Sequence, residues 1–93
     1  MMSKRVNGGR KLDESKQELI SELTRAAGQL KELMKRVELL VDEQHEHARA
    51  TGDVQEMERL HEAAPYKWCA DAKRSMQMGI MFAVRAVVQP TEF

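Results

Sequence analysis

Apolar residues in the first half of the chain recur at the heptad spacing of helices that pack along one side. Their steps alternate between four and three residues, and we call this row the seam: Leu19, Leu23, Ala26, Leu30, Leu33, Val37 and Leu40. A second row follows at intervals of seven: Ile20, Ala27, Met34 and Val41. Two apolar rows favour a helix with more than one packing neighbour. The pattern predicts one long helix over about residues 13–50.

Capping residues stand at both ends of this predicted helix. Asp13 precedes it and can cap the first turn, where the acidic Glu14 suits the helix dipole. The helix should end near Gly52, because glycine commonly follows the last turn. Asp53 can then cap a second segment, with Glu56 three residues later in the capping-box position.

Pro65 interrupts the second half of the chain. It disfavours helix at Ala64 and is welcome in the first turn of a new helix, so we predict a kink or a restart there. The preceding segment has a modest apolar face formed by Met57, Leu60 and Ala64. The last helix is expected over about residues 66–88, before Pro90.

The last helix separates into two sides at about 100° per residue. One side is apolar: Trp68, Ala72, Met76, Gly79, Ile80, Ala83 and Val87. The other gathers Lys67, Asp71, Arg74, Met78 and Arg85. Gly79 costs this helix about 1 kcal/mol relative to alanine, which favours close approach of another backbone. The predicted fold class is all-α: an antiparallel helical hairpin with a kinked second arm, assembling into a compact homo-oligomeric helical bundle.

Size and charge limit the function classes. Ninety-three residues form one domain, which we divide into a basic N-terminal arm over 1–12 and a helical hairpin domain over 13–93. Fifteen basic and fifteen acidic residues cancel, which argues against a binder of long nucleic acid. We also expect no secretory signal and no membrane span. The single cysteine rules out an internal disulfide, and together these features favour a cytoplasmic location.

The histidines and the cysteine, which could bind a metal or act in catalysis, are better explained by structural or solvent-exposed roles. His45, His47 and His61 lack the one-turn spacing that lets two imidazoles bind one ion, so an acidic, solvated hairpin tip is the better interpretation. Cys69 lies on or near the apolar side of its helix and behaves as a small hydrophobe. We expect no enzyme, no cofactor and no metal.

The neutral total charge hides two basic regions, the arm and residues 66–90, and an acidic region between them. By themselves such cations are ordinarily a solvated face. If several hairpins bundle together, cations from different copies can converge into a small pocket for a compact phosphate ligand. Two alternatives stay open: a hairpin that binds a protein partner through its seam, and an RNA or DNA binder that uses the basic arm.

Residues 68–90 also resemble a known family. The stretch keeps Trp68, Ala72, Gln77, Gly79, Met81, Arg85, Ala86, Val87, Gln89 and Pro90 of its pattern. The first half matches more loosely, through Gly8, Arg10, Leu12, Leu19, Ile20 and Gly28. On these residues the chain is similar to the phage anti-CBASS cyclic-oligonucleotide sponges, whose helical hairpin domain is shared with the Thoeris anti-defence sponge.

The resemblance implies a compact homohexamer without catalytic activity, located in the host cell cytoplasm if the chain is phage-encoded. Its ligands would be the cyclic dinucleotide or trinucleotide second messengers of bacterial immunity. The protein would bind these signals and withhold them from their effectors, and no bond would be cut.

The resemblance also implies candidate ligand-binding residues. The family's base-stacking tyrosine falls at Gly9 here, and the adjacent Arg10 could contact phosphate or stack over a base. The family's phosphate-binding lysine falls at Thr24 or Arg25, of which we choose Arg25. Its second pocket falls at Lys73, which keeps the charge, and at Arg74, which replaces a threonine. These departures affect the choice of ligand more than the fold.

Overall fold

The computed structural model describes residues 13–91, of which 91% are helical and none is in a strand. The described chain forms α1 (Glu14–Thr51), α2 (Val54–Ala63) and α3 (Pro65–Val88). Both α2 and α3 contact α1, and together they form a second arm that is bent by 29°. The predicted all-α class and the bend of the second arm are therefore confirmed, and the structure fits the predicted hairpin. Assembly into a bundle stays a prediction, and the arm over 1–12 lies outside the described residues.

Both ends of α1 are capped where the sequence predicts. The side chain of Asp13 accepts a hydrogen bond from the backbone N–H of Lys16 at 2.9 Å, and this bond lowers the pKa of Asp13. Gly52 ends the helix in the left-handed conformation, with φ at 64°, and its N–H donates to Arg49 at 3.2 Å. Glycine adopts this conformation at no steric cost, which is why α1 ends here.

Asp53 caps α2, but the predicted capping box is only half present. The Asp53 carboxylate accepts from the backbone N–H of Glu56 at 3.0 Å. The reciprocal bond of a capping box, from the Asp53 N–H to the Glu56 carboxylate, does not form. The Asp53 N–H instead donates to the carbonyl of Ala48 at 2.9 Å. Glu56 instead accepts two hydrogen bonds from Arg59, at 2.8 and 2.6 Å, which lower the pKa of Glu56.

The interruption at Pro65 is a restart. Ala64 adopts the left-handed conformation, with φ at 49°, and its N–H closes α2 on the carbonyl of Leu60. Its own carbonyl accepts from Lys67 at 3.1 Å and from Trp68 at 3.3 Å, so α3 begins at once. This conformation costs a residue with a Cβ about 1–2 kcal/mol. Pro65 then occupies the first turn of α3, where its missing N–H is not needed.

The two arms pack through the second row of α1, and four of the seven seam residues remain exposed. Met34 and Val41 are buried with Cys69 of α3, and two further side chains of α3, Ala72 and Met76, pack against them. The seam residues Leu19, Leu33, Val37 and Leu40 are between 43% and 55% exposed. Of the two predicted apolar rows of α1, the second row thus packs within the chain at Met34 and Val41, and the seam stays largely exposed.

The hairpin is a rod with a thin core. Its radius of gyration is 21.0 Å and its dimensions are 73 × 21 × 12 Å, whereas a compact domain of this length has a radius of about 12 Å. Among the described residues, twelve large hydrophobic side chains are exposed and five hydrophobic residues are buried. A chain that covers so little apolar surface is expected to gain stability from association.

Candidate functional site

An open groove with a volume of about 500 Å³ runs between α1 and α3 on one flank of the hairpin. We call it the lysine groove, and it is lined by Ala27, Leu30, Lys31, Met34, Lys35, Glu38, Lys73, Met76, Gln77 and Ile80. Its floor is aliphatic and thioether surface, and its polar groups are three lysines, one carboxylate and one amide. An apolar floor with a few polar groups is the usual composition of a small-ligand site.

Helical spacing explains how the polar groups converge. Lys31 and Lys35 lie one turn apart on α1 and therefore share a face. Lys73 and Gln77 are one turn apart on α3 in the same way. Because α3 packs along α1, the two pairs line a single groove from opposite walls. The convergence occurs within one chain.

The lysine groove favours a negatively charged ligand. Lys73 forms an ion pair with Glu38 at 2.8 Å, and this hydrogen bond raises the pKa of Lys73, so the lysine stays protonated. Lys35 pairs with Glu32 at 3.4 Å, and both side chains are well exposed. Lys31 forms no ion pair with any residue of 13–91. The three ammonium groups outnumber the one carboxylate that lines the groove.

A second groove on the hairpin has the opposite chemistry. It encloses about 360 Å³ and is lined by Met34, Val37, Val41, Ala63, Pro65, Trp68, Cys69 and Ala72. No charged side chain is among them. Val37 belongs to the seam, whose other members lie on the same face of α1 by their heptad spacing, so we call the seam and this groove together the apolar flank. Trp68 is 61% exposed there, and the Lys67 ammonium lies 4.4 Å from its ring centroid.

One of the four predicted ligand residues lines the lysine groove. Lys73 is placed there on α3, next to its partner Glu38. Arg10 lies outside the described residues. The remaining two, Arg25 and Arg74, line neither groove.

The two arginines pair with acids on their own helices. The Arg25 guanidinium lies 2.8 Å from Glu22, and the Arg74 guanidinium lies 3.0 Å from Asp71. All four side chains are more than a third exposed. Pairs of this kind contribute little to stability, and they leave both arginines able to exchange their partners for a ligand or a neighbouring copy.

Residues near the hairpin turn form a structural contact between the arms. The Tyr66 hydroxyl donates to the Asp42 carboxylate at 2.5 Å, which raises the pKa of Tyr66. The ring of His45 stacks on Tyr66, with centroids 4.9 Å apart, and its Nδ1 lies 2.9 Å from the carbonyl oxygen of Val41. Within residues 13–91, no three His, Cys, Asp or Glu side chains are placed to share a metal ion.

Sequence reasoning missed Lys31, Lys35 and Gln77 as groove residues. Gln77 belongs to the pattern of the resemblance but carried no role in binding. Lys31 and Lys35 stand at positions i and i+4, a spacing that indicates a shared cationic face on a helix. Which wall this face would form depends on the pairing of α1 with α3, and the local pattern does not specify that pairing.

Comparison of the sequence with family models and curated proteins gives no match from which a role could be transferred. No family model matches the chain, and no curated protein matches it in sequence. Across residues 13–91, the helices lack the combination of length and hydropathy that spanning a bilayer requires. The geometry of the two flanks therefore carries the functional argument.

Proposed function

We propose that this protein is a sponge for cyclic dinucleotides or trinucleotides: it binds these immune signals and sequesters them without cleaving them. The observation that carries the proposal is the lysine groove, in which Lys31, Lys35 and Lys73 surround an apolar floor. The resemblance of residues 68–90 to the phage anti-CBASS sponges agrees with this chemistry. On that basis the protein acts in the host cytoplasm as a phage counter-defence factor.

The groove matches the chemistry of a small cyclic nucleotide. Such a ligand carries two or three phosphodiester charges on a compact ring, and each lysine ammonium offers up to three hydrogen-bond donors to them. The volume of about 500 Å³ lies within the ordinary range for small-ligand sites. Met34 and Met76 supply polarisable surface for the faces of the bases. The Gln77 amide can donate to and accept from a base edge.

Sequestration requires affinity and a large number of sites, and it requires no chemical step. The groove residues supply charge, apolar contact and an amide, and the proposal assigns none of them a catalytic role. Association of several hairpins, as a homohexamer in the resembling family, would multiply the grooves on one particle.

The direct test is isothermal titration calorimetry of the whole protein against a panel of cyclic dinucleotides and trinucleotides. We expect at least one member to bind with a micromolar or lower Kd. Lys73→Glu and Lys31→Glu should each weaken that binding at least tenfold, since each replaces an attractive charge with a repulsive one. Arg49→Glu is the matched control, because Arg49 is exposed, pairs with Glu46 and lines neither groove.

Two results would count against the proposal. Absence of binding by every member of the panel, with a fully helical protein, would remove it. Equal losses for Lys73→Glu and Arg49→Glu would place the ligand outside the lysine groove. In either experiment, circular dichroism should show that the variants keep their helix content.

A protein partner is the second candidate, and the exposure of the seam favours it. Leu33 and Leu40 are about half exposed, and an amphipathic helix from another protein could cover them. Capture experiments from host or infected cells separate the candidates. One stoichiometric protein partner, lost on Leu33→Glu and unaffected by Lys31→Glu, together with no nucleotide binding, would favour this function over the sponge.

A further inference from the structure

The exposed seam of α1 has a charge pattern along its outer edge. In a heptad, the seam occupies the two core positions, and each side of the seam has its own row of flanking positions. The row on one side is the second row, which packs against α3. The row on the other side, at intervals of seven, is exposed and polar: Glu22, Gln29, Arg36 and Glu43. We call it the outer row.

We infer that α1 pairs with α1 of a second copy, antiparallel, in the register that sets residue 29 opposite itself. In this register Glu22 of each copy faces Arg36 of the other, so the dimer gains two identical ion pairs. The core positions agree with this alignment. In an antiparallel pair the two kinds of core position meet each other, so here Leu23 meets Leu33 and the small Ala26 meets the large Leu30. Charge and side-chain volume therefore select the same alignment.

The ion pair between Glu22 and Arg36 can form only between copies. The two residues are fourteen positions apart on one helix, which separates them by about 21 Å. Arg36 has no ionic partner among residues 13–91. Within the part of the chain that the structure describes, Glu22 pairs with Arg25 alone, three residues away, and both of those side chains are 62% exposed. A second copy thus offers Arg36 a partner that residues 13–91 of its own chain do not.

The interface is isologous, because the same residues of each copy meet about a two-fold axis. It specifies the contact by which the proposed self-association begins, and it covers the seam. Lys31 and Lys35 lie on the side of α1 away from the outer row, so these lysines stay accessible in the dimer, whereas Leu30 both lines the lysine groove and lies in the dimer core. Loss of this interface and loss of ligand binding are therefore separate outcomes.

Charge reversal of the full chain tests the register. Glu22→Arg and Arg36→Glu should each weaken dimerisation roughly tenfold, because each turns two attractive pairs into two repulsive ones. The double variant Glu22→Arg with Arg36→Glu should restore wild-type association. Sedimentation equilibrium gives the association constants, and circular dichroism verifies that each variant remains helical.

Crosslinking provides the second measurement. In a Cys69→Ala background, Gln29→Cys should form a covalent dimer with a short bismaleimide, since residue 29 faces itself. Lys35→Cys, on the opposite flank of the same helix, should not. A protein that is monomeric at all concentrations would overturn the inference, and so would a dimer in which the double variant shows no rescue and residue 29 does not crosslink.

Discussion

The two flanks of the hairpin are built on the same helix pair and have opposite chemistry. Met34 lines both grooves, so a single core residue separates a wall of lysines from a wall of aliphatic and aromatic side chains. On the lysine groove the polar groups of α1 and α3 face each other across apolar floor. On the apolar flank Val37 and Trp68 have no charged neighbour in the lining and remain exposed.

This difference shows how a thin rod can hold two functions. The core of the contact between α1 and α3 uses Met34 and Val41 of one row of α1, and the residues on either side of that row lie towards different flanks. A change of one helical position therefore moves a side chain between a surface suited to an anion and a surface suited to another protein. The neighbouring residues Leu30, Lys31, Glu32 and Leu33 contain both kinds.

The largest expected effect is loss of self-association in Leu33→Glu. Leu33 is 49% exposed in the hairpin and is not needed for its fold, whereas each dimer buries two copies of it. Because burying a leucine side chain contributes about 1.5–3 kcal/mol, association should weaken a hundredfold or more. Multi-angle light scattering measures the change. Helix content should be retained, and dimers that persist would show that this flank is not the interface.

Lys35→Glu is the reciprocal change on the other flank of α1. It replaces one ammonium of the lysine groove by a carboxylate, and hydrogen bonds to charged groups contribute about 1.5–3 kcal/mol. Nucleotide affinity should therefore fall about tenfold to a hundredfold, as measured by calorimetry, while the molar mass stays that of the wild type. If Lys35→Glu lost both nucleotide binding and self-association, the two flanks would have to act as one functional surface.

Salt should separate the flanks without any substitution. Raising the ionic strength screens the lysines from phosphate, so the Kd for the nucleotide should rise, with a decrease in affinity of about tenfold from low salt to 0.5 M. Association through the apolar flank depends mainly on apolar burial and should change by much less. Titrations and sedimentation at matched salt concentrations test the contrast, and equal responses of the two would contradict it.

Gly79→Ala should act in opposite directions on fold and assembly. Apart from its chain neighbours and the backbone of its own helical turns, no atom lies within 4 Å of the position that a Cβ at Gly79 would take, so in the isolated hairpin alanine should stabilise α3 by up to about 1 kcal/mol. If a neighbouring backbone approaches Gly79 in the assembly, the methyl group should weaken association. Thermal unfolding in the Leu33→Glu background and light scattering in the wild-type background separate the two effects. A gain in both would exclude the close approach.

Arg25→Glu should have the smallest effect on the ligand. Arg25 pairs with Glu22 and does not line the groove, so affinity should stay within about twofold of the wild type. Calorimetry with Lys31→Glu as the positive control measures this. A loss as large as that of Lys31→Glu would mean that Arg25 contacts the ligand in the assembly, in the phosphate-binding role that the resemblance implies for it.

Local signals in the sequence predicted the elements of the fold. Asp13, Gly52 and Asp53 act as caps, and Pro65 begins a helix, because each of these roles depends on the residue and its immediate neighbours. Glu56 departed from the expected capping box because Arg59, one turn ahead, supplies two donors to its carboxylate. Competition of this kind depends on which nearby partner binds the carboxylate best, and the motif alone does not contain that information.

The candidate site was less predictable, because it depends on the pairing of two distant segments. Lys73 was a candidate from the sequence, but its neighbours in the groove, Lys31 and Lys35, come from residues about forty positions earlier. Periodicity gives the faces of each helix and leaves open which face meets which. The burial of Met34 and Val41 against Cys69 determines which face of α1 meets α3, and it leaves most of the seam exposed to solvent.

The dimensions of the rod have a consequence for how the molecule moves through solvent. At 73 Å in length and 21 by 12 Å in cross-section, the hairpin experiences more frictional drag than a sphere of equal mass. Its Stokes radius will therefore be that of a larger globular protein, and its sedimentation will be correspondingly slow. Side-by-side pairing doubles the mass with little added length, so the frictional ratio should fall as the dimer forms.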